Sequence, residues 1–162
     1  MQKITTFLWF SDDAEEAVKF YTSIFKNSKI RRISYYSDAV AKSSGRRPGS
    51  VMTIAFKLNG QDFIALNGGP NFKFTEAISL MVHCDTQAEL DRYWRKLTSG
   101  GGGEVECGWL QDKYGLFWQI VPKFIIDLIS DKDRAKADRV MQVVMKSVKF
   151  DIKKLKEAAK SK

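Results

Sequence analysis

The strongest constraint on the fold of this chain is an internal repeat at an offset of 73 residues. Thr6 falls on Ser79 and Asp12 falls on Asp85, and the helix-like patterns after the two aspartates also coincide. Self-similarity at a fixed period is typical of a supersecondary unit that occurs more than once in a chain. The sequence therefore predicts two copies of one folding unit.

Each copy predicts one strand, one amphipathic helix and three more strands. The first strand runs into an aspartate that we expect to cap the helix, whose first turn is acidic, as the helix dipole favours. The predicted strands are 4–10, 30–36, 51–58 and 63–66 in the first copy, and 78–84, 104–107, 109–111 and 116–121 in the second. This order predicts an α+β fold with two tandem βαβββ modules, at about residues 4–68 and 77–122.

Residues 123–162 are predicted to form a helical C-terminal extension of the domain 1–122. An apolar stripe with helical spacing indicates a long helix, which begins at the capping-box-like pair Ser130 and Asp133. The stripe consists of Ala137, Val140, Met141, Val144 and Val148. A lysine-rich helix is expected within residues 146–162, and the polar segment 38–50 is expected to be a mobile loop.

The formal net charge of +8 raises the question of a nucleic-acid partner. Much of the positive charge belongs to the lysines of residues 146–162, which we interpret as the solvated face of an amphipathic helix. A second basic spot, Arg46 with Arg47, has no interleaved aromatic side chains that could stack on bases. The sequence therefore predicts no nucleic-acid partner.

The N-terminal segment and the two cysteines indicate the cellular compartment of the protein. The apolar run within residues 1–10 is too short for a signal peptide or a membrane span, and acidic residues follow it. Cys84 and Cys107 lack the CxxC spacing of structural zinc sites and do not imply a disulfide framework. We therefore expect a cytoplasmic protein with no membrane partner.

Three segments resemble a known family, namely LWFSDDAEEAVKFYTSIF, FIALNGGPNFKF and CGWLQDKYGLFWQIVP. They are similar to the PhnB-like branch, often labelled demethylubiquinone methyltransferase-like, of the vicinal oxygen chelate superfamily of glyoxalases, extradiol dioxygenases and antibiotic-resistance proteins. The similarity spans residues 4–122, and the tail from Asp133 onward also resembles that branch. The resemblance implies cupped mixed sheets around a shared cleft, and a homodimer.

The same resemblance bears on metal binding. Many members hold a divalent metal with His, Gln and Glu side chains, and in metal-binding relatives the closing motif usually ends Trp-Glu-Leu. This chain has Gln119 in place of that Glu, and Thr6 and Ser79 at the first-strand positions, neither a competent ligand on its own. We therefore predict no metal and no cofactor. The single histidine, His83, shares the strand parity of Ser79 and could face the cleft.

Nucleotide and nucleophilic chemistry find little support in the sequence. S-adenosylmethionine and nucleotide sites need a glycine-rich turn between a strand and a helix, whereas Gly100–Gly103 follows a helix and precedes a strand. A Cys-His pair is not favoured, because Cys84 points to the opposite face of its strand from His83. Cys107 is interpreted as a small buried hydrophobic residue.

The predicted ligand site is an aromatic-rich cleft with a few polar contacts. Its residues are Gln119, Ser79, Asn67, Trp109, Asp112 and Tyr114. Because side chains alternate along a strand, Gln119 is expected in the pocket and Trp118 in the packing. The preferred function is metal-independent binding of a small molecule. The alternative is an enzyme, either a lyase or isomerase that uses Asp112 or His83 as acid or base, or a methyltransferase as the family label suggests.

Overall fold

Two separate four-stranded sheets carry the fold, one in each half of the chain. The computed structural model describes residues 3–161. The chain divides into two units, Met1–Lys73 and Phe74–Lys162. Each unit contains one of the sheets, together with the helices that cover it.

The first unit has the predicted βαβββ order with one added helix. Its elements are β1 Thr6–Phe10, α1 Ala14–Ile24, β2 Lys29–Tyr35, α2 Asp38–Ser44, β3 Val51–Leu58 and β4 Gln61–Asn67. The sheet order is β1-β4-β3-β2. β1 runs parallel to β4, and the other neighbours are antiparallel.

The second unit repeats this topology and adds three C-terminal helices. Its elements are β5 Ser79–Cys84, α3 Gln87–Thr98, β6 Gly103–Glu104, β7 Trp109–Gln111, β8 Phe117–Pro122, α4 Ile125–Ile129, α5 Arg134–Met145 and α6 Ile152–Lys160. The sheet order is β5-β8-β7-β6, with β5 parallel to β8. The two predicted modules and the C-terminal helices are confirmed, whereas the shared cleft stays a prediction.

Each module helix buries the apolar stripe that the sequence indicated. The buried side chains of α1 are Ala14, Ala17, Val18, Tyr21 and Ile24, and those of α3 are Leu90, Tyr93, Trp94 and Leu97. Residues three and four apart lie on one face of a helix, so each stripe covers one side of its sheet. The opposite face of each sheet is left for other contacts.

The helix caps differ from the predicted aspartates. The N-cap residues are Asp13 and Thr86, and not Asp12 and Asp85. The Thr86 side chain accepts a hydrogen bond from Glu89 N, and Glu89 Oε2 accepts one from Asp85 N at 2.9 Å, which is a reciprocal capping arrangement. Asp85 therefore contributes its backbone N–H rather than its carboxylate.

The repeat offset changes between the strands and the helices. Phe10 and Cys84 end their strands and are both buried, at an offset of 74 residues, whereas the helices keep the offset of 73. The connection to the N-cap has two residues in the first unit and only Asp85 in the second. Because side chains alternate along a strand, Thr6 projects to the same face of its sheet as buried Phe10. Ser79 instead projects to the face opposite that of buried Cys84. The expected equivalence of Thr6 and Ser79 is wrong.

The segment 38–50 is not the irregular loop that its polarity suggested. Residues 38–44 form α2, and Ser37 caps it by accepting a hydrogen bond from Val40 N. Gly45 ends the helix with a left-handed backbone at φ 67°, a conformation that glycine adopts without steric cost. Ser37 and Gly45 were helix start and stop signals that outweighed the polar composition.

The elements after β5 also differ from the sequence prediction in detail. α4 was not predicted, and Ser130 ends it rather than starting the next helix, whose N-cap is Asp133. α5 ends at Met145, so Val148 lies beyond it. The predicted strand 104–107 is reduced to Gly103–Glu104. Cys107 lies in the turn that follows, with a positive φ of 60°.

Candidate functional site

A cavity of about 210 Å³ lies in the second unit, against the sheet face opposite α3. Its floor comes from β5, β8 and β7, and its roof comes from the C-terminal helices. The lining residues are Met81, Cys107, Trp109, Gln119, Val121, Ile125, Ile126, Ile129, Met141, Val144, Met145 and Phe150. Apart from the Gln119 amide, the Trp109 indole and the Cys107 thiol, these side chains are hydrocarbon or thioether.

Three neighbouring strands place the floor residues side by side. Met81 pairs with Gln119 across the parallel β5–β8 ladder, and Trp109 pairs with Gln119 across the antiparallel β7–β8 ladder. Directly paired residues project to the same face of a sheet, so the amide lies between a thioether and an indole ring. Trp118 is buried on the α3 side, so the structure separates Trp118 and Gln119 as the alternation predicted.

The Gln119 amide is held at one end and open at the other. Its Nε2 donates a hydrogen bond to Ser79 Oγ at 2.8 Å, which fixes the orientation of the side chain. Within residues 3–161 the amide oxygen has no hydrogen-bond partner, and the side chain is half-buried. Because an amide oxygen can accept two hydrogen bonds, this atom is positioned to receive a donor from a molecule in the cavity.

The roof is tied to the sheet by backbone hydrogen bonds. Cys107 N donates to Ser147 O at 2.7 Å, and Gly108 N donates to Val148 O at 2.8 Å. Phe150 packs so closely against Gly108 that a Cβ there would lie 2.4 Å from its Cε2 atom. Glycine is therefore required at this position for the segment after α5 to approach the sheet.

Asp112 does not line the cavity but organises the turn between β7 and β8. It is 2% exposed. Its Oδ1 accepts hydrogen bonds from Tyr114 N at 2.9 Å and Leu116 N at 3.1 Å, and its Oδ2 accepts one from Trp118 Nε1 at 2.8 Å. Both carboxylate oxygens thus have structural partners. Tyr114 belongs to the same turn, where Lys113 Nζ lies 4.9 Å from the centroid of its ring. It does not line the cavity either.

Asn67 belongs to the first unit, where its side chain completes the start of α1. Its Oδ1 accepts a hydrogen bond from Ala14 N at 2.9 Å, and its Nδ2 donates to Val51 O at 3.1 Å. The side chain is buried. Asp13 makes no side-chain capping bond, so Asn67 supplies the acceptor that an N-cap side chain normally supplies.

The described residues do not converge on a site for a divalent metal. Within residues 3–161 no group of three or more His, Cys, Asp or Glu side chains could hold a metal ion. Burial raises the pKa of Cys84 to about 12, with further contributions from Glu89 and Asp85, so its thiol stays protonated at neutral pH. His83 is exposed on β5 and does not line the cavity.

A methyl donor of the S-adenosylmethionine type does not fit these residues. Its ribose and charged amino-acid group need several polar partners, whereas the cavity offers one open amide and no carboxylate. Gly100–Gly103 lies between the end of α3 and β6, as the sequence predicted, and not between a strand and a helix.

Comparison with known proteins places the chain in a family. The sequence profile of the 3-demethylubiquinone-9 3-methyltransferase family matches residues 2–121. The chain belongs to this PhnB-like family. A PhnB protein of Bacillus cereus with the same methyltransferase description is 42% identical, with a TM-score of 0.64, and the match covers 73% of this chain and 97% of that chain.

One more distant structure shares the architecture of this PhnB-like chain. The protein PA1353 of Pseudomonas aeruginosa is 16% identical with a TM-score of 0.57, over 73% of this chain and 95% of that chain, a likeness that shows the fold alone. A glyoxylase/bleomycin resistance protein/dioxygenase domain from Frankia is 14% identical with a TM-score of 0.44, over 73% of this chain and 89% of that chain. No curated protein matches the chain.

The family match ends before the roof of the cavity begins. Residues 123–162 lie beyond the matched range of 2–121, so the expected similarity of the tail to the PhnB-like branch stays a prediction. The extension supplies the lining residues from Ile125 to Phe150.

Within residues 3–161, no helix is long and apolar enough to cross a membrane.

Sequence reasoning found part of this site and missed the rest. Gln119, Trp109 and Ser79 are brought together, whereas Asn67, Asp112 and Tyr114 lie elsewhere. The missed residues are Met81, Cys107, Val121 and the roof side chains. Met81 carries a usable signal, because its parity with Ser79 places it on the same face of the strand. Nothing in the sequence shows which side of the sheet the extension covers.

Proposed function

We propose that this PhnB-like protein binds a small organic molecule in the cavity between its second sheet and its C-terminal extension, without a divalent metal. The observation that carries the proposal is the Gln119 amide, which Ser79 orients and whose oxygen is open. Ligand pockets are largely apolar with a few positioned polar groups that give specificity, and this lining has that character.

The cavity also limits the class of ligand. Pockets for drug-sized molecules measure about 300 to 1,000 Å³, and this cavity is about 210 Å³. The ligand should therefore be a small molecule with an apolar or flat body, which Trp109 and the thioethers contact, and one O–H or N–H group that donates to Gln119 Oε1. Phenols and small aromatic amines have this chemistry.

The enzyme alternative has less support from the same residues. General acid–base catalysis needs a titratable group within hydrogen-bond reach of the substrate. Cys107 is the titratable side chain in the described lining, while Asp112 is committed to the β7–β8 turn and His83 lies outside the cavity. The arrangement therefore favours binding over a lyase, isomerase or methyltransferase reaction.

Replacing Gln119 by leucine should abolish the preference of the cavity for ligands that carry a donor. Wild-type protein should be stabilised by phenol more than by toluene, because only phenol can donate to the amide oxygen. In Gln119→Leu the two probes should give equal thermal shifts, since one lost hydrogen bond is worth about 1 kcal/mol, or about a fivefold change in Kd. The measurement is a thermal-shift titration with both probes.

Gln142→Leu is the matched control, because Gln142 lies exposed on α5, outside the cavity lining. It should keep the wild-type difference between phenol and toluene. Equal shifts by the two probes in the wild-type protein, or an unchanged difference in Gln119→Leu, would refute the proposed role of the amide.

We further propose that the protein is a homodimer in the cytoplasm. The first unit exposes large apolar side chains on and beside its sheet, and such surface is typical of contacts between chains. Examples are Phe7, Tyr35 and Phe72, which are 54%, 58% and 63% exposed. We expect a molecular mass twice that of the chain by light scattering at micromolar concentration. A monomer under those conditions would contradict the dimer.

A further inference from the structure

Four sulfur-containing side chains line the cavity of the second unit. Met81, Cys107, Met141 and Met145 all contribute to its wall. The whole chain has five methionines and two cysteines, so three of the methionines and one cysteine converge on this one place. Methionine often fills gaps in a core, but two of these side chains are exposed to solvent rather than packed away, since Met145 is 62% and Met81 39% exposed.

The distance between two of the sulfurs suits a shared metal ion. Cys107 Sγ lies 3.9 Å from Met145 Sδ. Sulfur ligands bind a zinc-sized ion at about 2.3 Å, so two sulfurs on one such ion at tetrahedral or trigonal angles lie about 3.8 to 4.0 Å apart. Met141 precedes Met145 by one helical turn on α5, so both thioethers project from the same face of the helix.

The backbone holds Cys107 in an unusual conformation at this position. Its φ is 60°, in the left-handed region that residues other than glycine adopt rarely. Its N–H donates to Ser147 O at 2.7 Å, which ties the cysteine to the residues immediately after Met145. Strained backbone of this kind occurs most often at functional sites, where the surrounding structure enforces it. The thiol is thereby held beside the Met145 thioether before any ligand binds.

We propose that Cys107, Met145 and Met141, with Met81 on the facing strand, form a binding site for a soft monovalent metal ion, Cu(I). Thiolate and thioether ligands together suit Cu(I), whereas protein Zn²⁺ sites are built from Cys, His, Asp and Glu side chains, of which this lining contains only Cys107. The Cys107 thiol loses its proton to solvent when the Cu–S bond forms, and the ion stays in the +1 state. The site does not depend on Gln119 or on the ligand proposed above.

The partial exposure of the sulfurs gives the ion a path from solvent. Cys107 is half-buried, whereas Cys84 is fully buried beneath α3 and keeps its proton at neutral pH. A metal site needs an entry path and deprotonated ligands. Among the cysteines of the described chain, only Cys107 has a path from solvent to its thiol.

The test is anaerobic titration of the full-length protein with Cu(I) against a chromophoric Cu(I) chelator, and with Ag⁺ as an air-stable analogue followed by native mass spectrometry. We expect one ion per chain. Loss of an outer-shell partner alone costs about 10- to 100-fold in metal affinity, so Cys107→Ser should weaken binding by at least that factor. Met145→Leu should weaken it by a smaller factor, and because Met145 is exposed, this variant should keep the wild-type fold.

Met52→Leu is the matched control, because Met52 lies on β3 of the first unit. It should bind Cu(I) and Ag⁺ as the wild type does. Absence of a one-to-one complex in the wild-type protein, equal affinity in Cys107→Ser, or Zn²⁺ binding as tight as Cu(I) binding would each overturn the proposal. A failure of the phenol test would leave the metal result unchanged, so the two proposals fail separately.

Discussion

Replacing Asp112 by alanine is expected to lower the free energy of unfolding by about 3 to 5 kcal/mol. The carboxylate is buried and accepts hydrogen bonds from Tyr114 N, Leu116 N and Trp118 Nε1. Alanine would leave these donors without their acceptor in a site that water cannot readily fill. Urea denaturation followed by tryptophan fluorescence measures the change, and a loss under about 1 kcal/mol would contradict this account.

The bond between Asp112 and Trp118 can be isolated by a double-mutant cycle. Asp112→Asn keeps an oxygen for the two backbone donors but turns an amide NH₂ toward the indole N–H, so two donors face each other. Trp118→Phe removes the indole donor and thus the conflict. The double variant should therefore be more stable than the sum of the single losses predicts, by about 1 to 2 kcal/mol. Strict additivity would show that this bond does not exist in solution.

Gly108→Ala is expected to separate the extension from the second sheet. The new Cβ would lie 2.4 Å from Phe150 Cε2, and the φ of 79° at this position disfavours any side chain. Phe150 is fully buried and cannot swing into solvent without losing its own packing. Overpacking of a core and a left-handed φ together cost about 2 to 4 kcal/mol. Thermal unfolding and the phenol titration should both report the loss.

Gly103→Ala provides the control for this substitution. A methyl group at Gly103 would meet no atom within 4 Å, and the backbone there is not left-handed, so alanine introduces no strain. The stability of this variant should stay within about 0.5 kcal/mol of the wild type. An equally small effect of Gly108→Ala would contradict the close approach of Phe150 to the sheet. It would also contradict the placement of the C-terminal helices over the cavity.

The fold was predictable because the repeat and the helix stripes agree with each other. Leu90 and Leu97 lie on one face of α3, and that face can be buried only against a sheet. Details at the ends of elements were not predictable to the same degree. The polar composition of residues 38–50 concealed α2. No residue pattern indicates the left-handed φ of Cys107 in the turn after β6.

The candidate site was predictable only where strand alternation decides the direction of a side chain. Gln119 and Trp118 were assigned to opposite faces by parity, and the structure places them so. Asn67 and Asp112 looked like ligand contacts because they are polar residues at strand ends. Such residues also satisfy backbone N–H groups, as both do here. Which role a polar side chain takes depends on donors that are distant in sequence.

The unequal connections between strand and helix in the two units limit how one copy can guide the engineering of the other. A designer who wished to graft a histidine pair onto matched places would choose Thr6 and Ser79 from the sequence alignment. The alternation of side chains instead makes Thr5 the position equivalent to Ser79. The reason is that the extra connecting residue in the first unit shifts β1 by one position relative to its helix. A single inserted residue can thus reverse which substitutions reach the open face of a duplicated sheet, while its helix remains unchanged.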